Sequence, residues 1–374
     1  MKKFKLLYFV SEDEYFVTHK LAQALEAKKK NFNVVVLTKL NKFKKKIESL
    51  GIKTLNFNLD RKSINPISNF FLIIQFYNII RKEKPDIIQS NALKPILYSA
   101  LISRFFKNIS FIYCVVGLGF LFLKKNLSNS LIRKIYFFLL KKFIKKEKSI
   151  FIFQNKDDLE FFKIQKIING ISHKIISGSG VNNKKFRKKK MTKTYDLILH
   201  SRILEHKGIY ELVNAVIHLK KEGLNIKFLL LGNPDLNNRA SIPRKKILKW
   251  QSDKILTWKK KVINVIPYLH KSKISVLPSY REGFPRSLLE AASCGLPLIS
   301  TNVPGCRDIC INNFNGYLVS PKDYLSLAKA IKKLINNPII QKKFSDNSIN
   351  IVKEKFMDKI ISSEFVSIYK SILK

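Results

Sequence analysis

The chain has 374 residues, 46% of them hydrophobic, enough to bury the cores of about two domains. Its 71 Lys and Arg outweigh 26 Asp and Glu for a formal net charge of +45, which predicts attraction to polyanions or to an anionic bilayer. Four cysteines, Cys114, Cys294, Cys306 and Cys310, are too few and too unevenly spaced for a disulfide framework or a closed zinc site, and read as reduced thiols.

In chain order, residues 5–10 are too short an apolar stretch for a secretory signal and predict a first buried strand. A helix over 17–29 carries Val17, Leu21, Ala24 and Leu25 on one face, with His19 opposite. Strands follow at 33–38, 86–90, 109–115, 149–154 and 174–176. No run reaches the ~18 apolar residues of a spanning helix; residues 110–123 come nearest and hold two glycines. Residues 131–148 alternate Ile132, Ile135, Tyr136, Leu139 and Phe143 with Arg133, Lys134, Lys141, Lys142, Lys145 and Lys146. That pattern suits either a core helix with a wet basic face or a helix lying on an anionic membrane. Lys-Lys-Lys runs at 28–30, 44–46, 188–190 and 259–261 read as solvated surface in a chain rich in Lys, Ile and Asn.

A shift to Gly, Asn and Lys at 178–194 reads as a linker. Beyond it come a strand at 197–201, a helix over 209–222 with Leu212, Val213 and Val216 inward, and strands at 228–232, 274–277 and 298–301, then helices from about 322. Alternating strands and helices predict parallel α/β layers. The expected domains are 1–180 and 181–355, with a helix over 356–374 crossing back to the first, and a ligand cleft between two Rossmann-like halves.

The most informative segment is 278–290, PSYREGFPRSLLE, which sets Glu282 and Glu290 across a strand-to-helix junction with seven residues between them. Pro285 suits the first helical turn and keeps Phe284 extended. Leu288, Leu289 and Ala292 form the helix's apolar stripe, and Glu290 falls on the opposite side, away from the core. A helix start at a strand's carboxyl end binds phosphate, and Gly283 lets the backbone come close. The loop 200–208 places Arg202 and Lys207 at another strand end, where a fork and a point charge can clamp a diphosphate. On spacing alone, both features are equally a solvated helix face and ordinary surface charge.

The stretch 275–319, SVLPSYREGFPRSLLEAASCGLPLISTNVPGCRDICINNFNGYLV, resembles the donor-site signature of the retaining family 4 glycosyltransferases: Glu, seven residues, Glu, then Gly-x-Pro and Asn-Gly. Arg202 to Gly208 resembles the same family's Arg-x-x-x-x-Lys-Gly diphosphate motif. Phe16 to Ala22, Pro85 to Ile88, Val116 to Gly119 and Gly178 to Val181 are similar to stations of the branch that builds capsule, O-antigen and N-glycan precursors on polyprenyl diphosphate. The resemblance implies the GT-B fold. It also implies transfer of a hexose or N-acetylhexosamine from a UDP-sugar to a lipid-diphosphate-linked saccharide, with retention at the anomeric carbon. Glu282 would then meet donor-sugar hydroxyls, with Arg202 and Lys207 on the diphosphate and Glu290 on the ribose. Backbone around Gly283 and Phe284 would serve sugar and phosphate, and Gly232 would lie near the nucleotide. Residues 233–273 match loosely and leave the base contacts unplaced. His19, Lys94, Gly117 and Gly119 are the acceptor-side candidates; Val116 stands where many relatives carry His.

No Asp-x-Asp stands at a suitable strand end, so neither metal nor other cofactor is expected beyond the donor itself. The expected setting is the cytoplasmic face of the membrane, with peripheral attachment. The rivals are another activity on the same architecture, an epimerase or sugar-phosphate synthase, and a nucleic-acid-binding protein suggested by charge and 11% aromatics.

Overall fold

The computed structural model describes residues 3–60, 63, 65–119, 127–235, 238 and 240–373, with backbone alone for 127–129. Positions 120–123 of the longest apolar run lie outside the described residues. The chain divides into two compact units, Met1–Gly180 with Asp358–Lys374, and Val181–Met357.

The first unit runs β1 (Lys5–Glu12), α1 (Asp13–Tyr15), a π-helical turn (Phe16–Lys20), α2 (Leu21–Lys29), β2 (Asn33–Lys39), α3 (Lys44–Ser49), β3 (Lys53–Asn56), α4 (Pro66–Glu83), β4 (Ile87–Asn91), α5 (Leu93–Ser103), β5 (Ser110–Val115), α6 (Leu127–Phe143), β6 (Ser149–Phe153), α7 (Lys156–Ile164) and β7 (Ser172–Ile175). The strands pair in parallel in the order β3-β2-β1-β4-β5-β6-β7. This is a doubly wound sheet whose order reverses between β1 and β4. Helices cover both faces, so the strands are near-continuous apolar runs rather than alternating ones. Leu7, Phe9, Phe111 and Phe151 pack against α4 to α7. Leu6, Tyr8, Val10 and Ile112 pack against α2, α3 and the C-terminal helix, Asp358–Ser371. That last helix is keyed into the first unit by Tyr369. Its hydroxyl lies 2.9 Å from the Tyr8 hydroxyl, donates to Gln89 Oε1 (2.6 Å) and accepts from Gln23 Nε2 (2.6 Å), all of them buried.

The second unit runs β8 (Tyr195–His200), a 3₁₀ turn (Glu205–Lys207), α8 (Ile209–Lys221), β9 (Phe228–Leu231), α9 (Arg244–Ser252), β10 (Thr257–Lys259), α10 (Ile266–His270), β11 (Ser272–Leu277), α11 (Arg286–Ser293), β12 (Leu298–Thr301), β13 (Gly316–Val319), α12 (Tyr324–Ile335) and α13 (Pro338–Ile351). Its sheet is again parallel, β10-β9-β8-β11-β12-β13, and reverses between β8 and β11. The division between the units, after Gly180, falls within 178–194, the linker by composition; just past it Val181 N donates to Phe356 O (2.9 Å), and Val181 and Phe186 are buried in the second unit's core. The two apolar anchors were masked by the Lys and Asn around them. Among the described residues, no helix is long and apolar enough to cross a membrane.

Candidate functional site

Open parallel sheets bind ligands beyond their strands' carboxyl ends, where the strand order reverses. In the second unit that place lies between the ends of β8 and β11, and both glutamates, Arg202 and Lys207 follow those two strands. Buried Ile203 and Leu204 pin the loop after β8. Gly208 closes it with φ 71°, and a Cβ there would stand 2.0 Å from Pro278 O, so only glycine fits both the left-handed turn and the approach of the two loops. Tyr280 N donates to His206 O (2.9 Å), fastening one loop to the other.

This fastening delivers Lys207 to Glu282. Lys207 Nζ donates to Glu282 Oε1 at 2.5 Å, and Ser279 Oγ donates to the same oxygen at 2.6 Å. Both charged side chains are sheltered, at 14% and 13% exposure. Burial opposes ionisation of Glu282, but the Lys207 ammonium and the two hydrogen bonds outweigh it and hold the carboxyl below its usual range. Oε2 accepts from none of the described residues. A third loop supports the pair: Glu282 N donates to Pro304 O (3.3 Å), Thr301 Oγ1 donates to Ser279 O, and a Cβ on Gly305 would lie 2.5 Å from Gly283 O. Beside them, burial and the adjacent Lys207 push the His206 imidazole down to about 4, and its Nδ1 is buried without a partner.

Glu290 forms a second cluster on α11. Arg286 Nε donates to Oε1 (2.8 Å), and His200 Nε2 lies 3.4 Å from Oε2. Burial again opposes ionisation, and the His200 hydrogen bond and Arg286 guanidinium overcome it, holding this carboxyl low. Glu290 is therefore not on the open side of its helix: at 14% side-chain exposure it is closed over by the end of β8. Phe284 turns its ring into the core against Phe356, with centroids 5.3 Å apart, so what it presents at the start of α11 is backbone. No side chain caps that helix start.

Arg202 is not drawn into either cluster. Its side chain is 57% exposed, and Nη1 reaches Asp235 Oδ2 at 3.3 Å. Gly232 sits at φ 151°, with a virtual Cβ 1.9 Å from Ser201 O, and its own carbonyl accepts from Trp258 Nε1 (2.9 Å). It therefore lets β9 close against the β8 loop.

In the first unit, His19 lies in the π-helical turn after β1, its ring stacked on Tyr15 at 4.6 Å and its Nδ1 2.7 Å from Thr18 Oγ1. Lys94 opens α5 after β4 and donates to Asp60 O (2.6 Å) and Ser63 O (2.9 Å). Burial lowers its pKa against the opposing field of Asp60. Both thus follow the strands flanking this sheet's reversal point. Gly117 (φ 115°) and Gly119 (φ 67°) follow β5.

Ser279, His200, His206, Arg286 and Gly305 escaped the reading from sequence. Arg286 carried a usable signal, lying four residues before Glu290 on one helix face. His200 and Glu290 are 90 positions apart, and only the fold joins them.

Two doubly wound parallel sheets, one carrying two cation-paired carboxylates at its reversal point, have the architecture of a GT-B glycosyltransferase. Residues 181–351 match the family "Glycosyl transferases group 1", and residues 5–155 match "Glycosyl transferase 4-like". The two matches together take in most of the chain, which is a glycosyltransferase built from these two family domains. It is 25% identical to the N,N'-diacetylbacillosaminyl-diphospho-undecaprenol alpha-1,3-N-acetylgalactosaminyltransferase of Campylobacter jejuni, over 91% of this chain and 92% of that one. It is 23% identical to the UDP-Gal:alpha-D-GlcNAc-diphosphoundecaprenol alpha-1,3-galactosyltransferase of Escherichia coli, over 80% and 77%. Among solved structures, a Rickettsia africae glycosyltransferase aligns with TM-score 0.77 at 21% identity over the whole of both chains. Anabaena HepE, crystallised with UDP, aligns at 0.76 and 16% over 98% and 100%.

Proposed function

We propose that the protein transfers a hexosyl or N-acetylhexosaminyl group from a UDP-sugar to a saccharide carried on a polyprenyl diphosphate, with retention, at the inner face of the membrane. The observation that carries this reading is the sheltered Lys207–Glu282 pair at the second sheet's reversal point. The two relatives named above, which act on diphospho-undecaprenol saccharides by their names, supply the acceptor class.

The geometry suits the chemistry step by step. Transfer breaks the bond from the anomeric carbon to the UDP oxygen, so negative charge grows on the departing diphosphate. Lys207 offers positive charge there from a sheltered position, where it counts most, and the exposed Arg202 and the uncapped start of α11 add to it. Glu282 is held ionised, so it accepts hydrogen bonds and donates none; Oε2 takes a sugar hydroxyl while Oε1 stays on Lys207 and Ser279. Glu290, fixed from both sides, presents a carboxylate to the vicinal ribose hydroxyls. The acceptor hydroxyl attacks the face the diphosphate leaves, and its proton passes to a diphosphate oxygen, so no separate base is required. His206, neutral at pH 7, adds no charge to compete with Lys207. In the first unit, His19, Lys94 and the Gly117 to Gly119 turn would receive the acceptor's diphosphate.

Release of UDP from a panel of UDP-hexoses and UDP-N-acetylhexosamines, with and without membrane lipid extract and in EDTA, tests this reading. Lipid-dependent release that survives EDTA, with the sugar recovered on lipid in α linkage, is the expected result. A free sugar phosphate or an epimerised UDP-sugar as sole product would replace the reading with one of its rivals.

A further inference from the structure

From residue 61 to 146 the chain carries sixteen Lys and Arg and two acids, Glu83 and Asp86. Both acids are already used: Glu83 pairs with Lys53 (2.6 Å) and Lys5 (3.4 Å), and Asp86 Oδ2 accepts from Lys5 N (2.7 Å). The sixty residues from 87 to 146 contain no acid at all, against 26 acids in 374 residues overall. General Lys enrichment adds cations; it does not by itself empty one segment of acids.

The same segment exposes apolar side chains in a helical pattern. On α4, Phe76 and Ile80 enter the core, while Ile67, Phe70, Phe71 and Ile74 are 69%, 59%, 64% and 41% exposed. Their spacing of three, one and three residues makes a single outward stripe. At the end of α5, Phe105 is 71% exposed and meets Tyr77 of α4 with rings 5.8 Å apart. On α6, Leu131, Ile135 and Phe138 are exposed at 60%, 49% and 60%. All three helices cover the same face of the first sheet. Between α6 and α7 a surface cavity of about 420 Å³ is lined by Arg133, Lys134, Lys141, Phe137 and Phe138 among others, a basic and aromatic setting for a phosphate head.

We infer that the α4–α5–α6 face of the first unit inserts into an anionic bilayer, with the α4 stripe entering the acyl boundary and the surrounding cations resting on lipid phosphates. A polyanionic nucleic acid would match the charge and leave Ile67, Phe70, Phe71 and Ile74 unrewarded. A second copy of this face would match the apolar stripe and bring like charge against like. An anionic bilayer satisfies both, as interfacial helices do. The inference rests on the lipid-linked acceptor proposed above, and it places the anchoring face on α4 as well as on the basic helix α6.

The test uses the full chain and vesicles of phosphatidylglycerol and phosphatidylethanolamine, against phosphatidylcholine alone. The Phe70→Ser/Phe71→Ser double variant should lose roughly tenfold or more in vesicle partitioning, while Ile339→Ser, at a still more exposed apolar site in the second unit, should change nothing. The Phe70→Trp variant should shift its indole emission to the blue on anionic vesicles and be quenched by brominated acyl chains, read against Trp250 and Trp258. Emission from the Phe70→Trp variant that stays unquenched, a double variant that binds like wild type, tight binding to RNA with none to vesicles, or a dimer abolished by the double variant would each overturn the inference. Turnover separates the two proposals: with detergent-solubilised acceptor the double variant should release UDP like wild type, and fall behind only on acceptor embedded in vesicles. If wild type inserts yet releases no UDP in any format, the transfer reading fails and the insertion face stands.

Discussion

Lys207 is the residue on which the proposed chemistry turns, since it holds Glu282 ionised and in the proposed transfer would face the developing phosphate charge. Lys207→Ala should lower kcat by roughly 10²–10³, the usual loss when one preorganised charge-stabilising donor is removed. Lys207→Arg should not restore it, because a planar fork cannot reproduce a point charge 2.5 Å from Oε1. His206 sets a pH dependence of folding. Its imidazole titrates near 6.5 when unfolded and near 4 in the fold, so between those values the unfolded chain binds more protons. Its contribution is complete above pH 6.5 and is lost as pH falls towards 4, with a slope approaching ~1.4 kcal/mol per pH unit. Denaturant melts from pH 7 to 4 should show that slope flattened in His206→Asn.

Among elements, the turn from β8 into α8 governs the site. Gly208→Ala puts a Cβ 2.0 Å from Pro278 O at positive φ, so it should both destabilise the second unit, on the order of 2–4 kcal/mol, and displace Lys207; melting temperature and UDP affinity should fall together. The C-terminal helix depends likewise on Tyr369. Tyr369→Phe leaves Gln23, Gln89 and Tyr8 short of a shared buried partner and should cost about 1–3 kcal/mol in chemical denaturation.

Elements also explain what the sequence made legible. Residues 274–277 and 278–290 declared strand, turn and helix because apolar run, glycine and proline are all local there. The strands β3 (KTLN) and β10 (TWK) hold too few apolar residues to stand out, unlike the equally short β9 (FLLL) and β12 (LIST). The helix α4 stayed hidden because FFLIIQF is apolar on both sides, and its outward stripe removed the polar face by which a surface helix is recognised. Glu290's shelter likewise depends on His200, supplied by a different strand. A helical wheel sees only its own helix.

At the scale of the molecule, the charge of +45 and the two sheets divide the labour. The second unit gathers paired carboxylates and cations at its reversal point, as a nucleotide-sugar site requires. The first unit carries a basic face nearly free of acids and studded with exposed Phe, Ile and Leu. Charge alone matched nucleic acid as well as membrane; the apolar stripe on α4, visible only once the helix is placed, distinguishes them. Part of the charge is therefore organised: the Lys-Lys-Lys runs remain solvated surface, whereas α4, α5 and α6, from the acid-poor segment 61–146, cover one face of the first sheet.

The most direct measurement of the central claim is UDP release in EDTA, from the best UDP-sugar and a lipid-linked acceptor, by wild type, Glu282→Ala and Lys207→Ala under identical conditions. The account predicts steady release by wild type and a loss of roughly 10² or more in each variant, measured at a temperature where both variants remain folded. Release that persists unchanged in both variants, or that appears only when a divalent metal is restored, would contradict it.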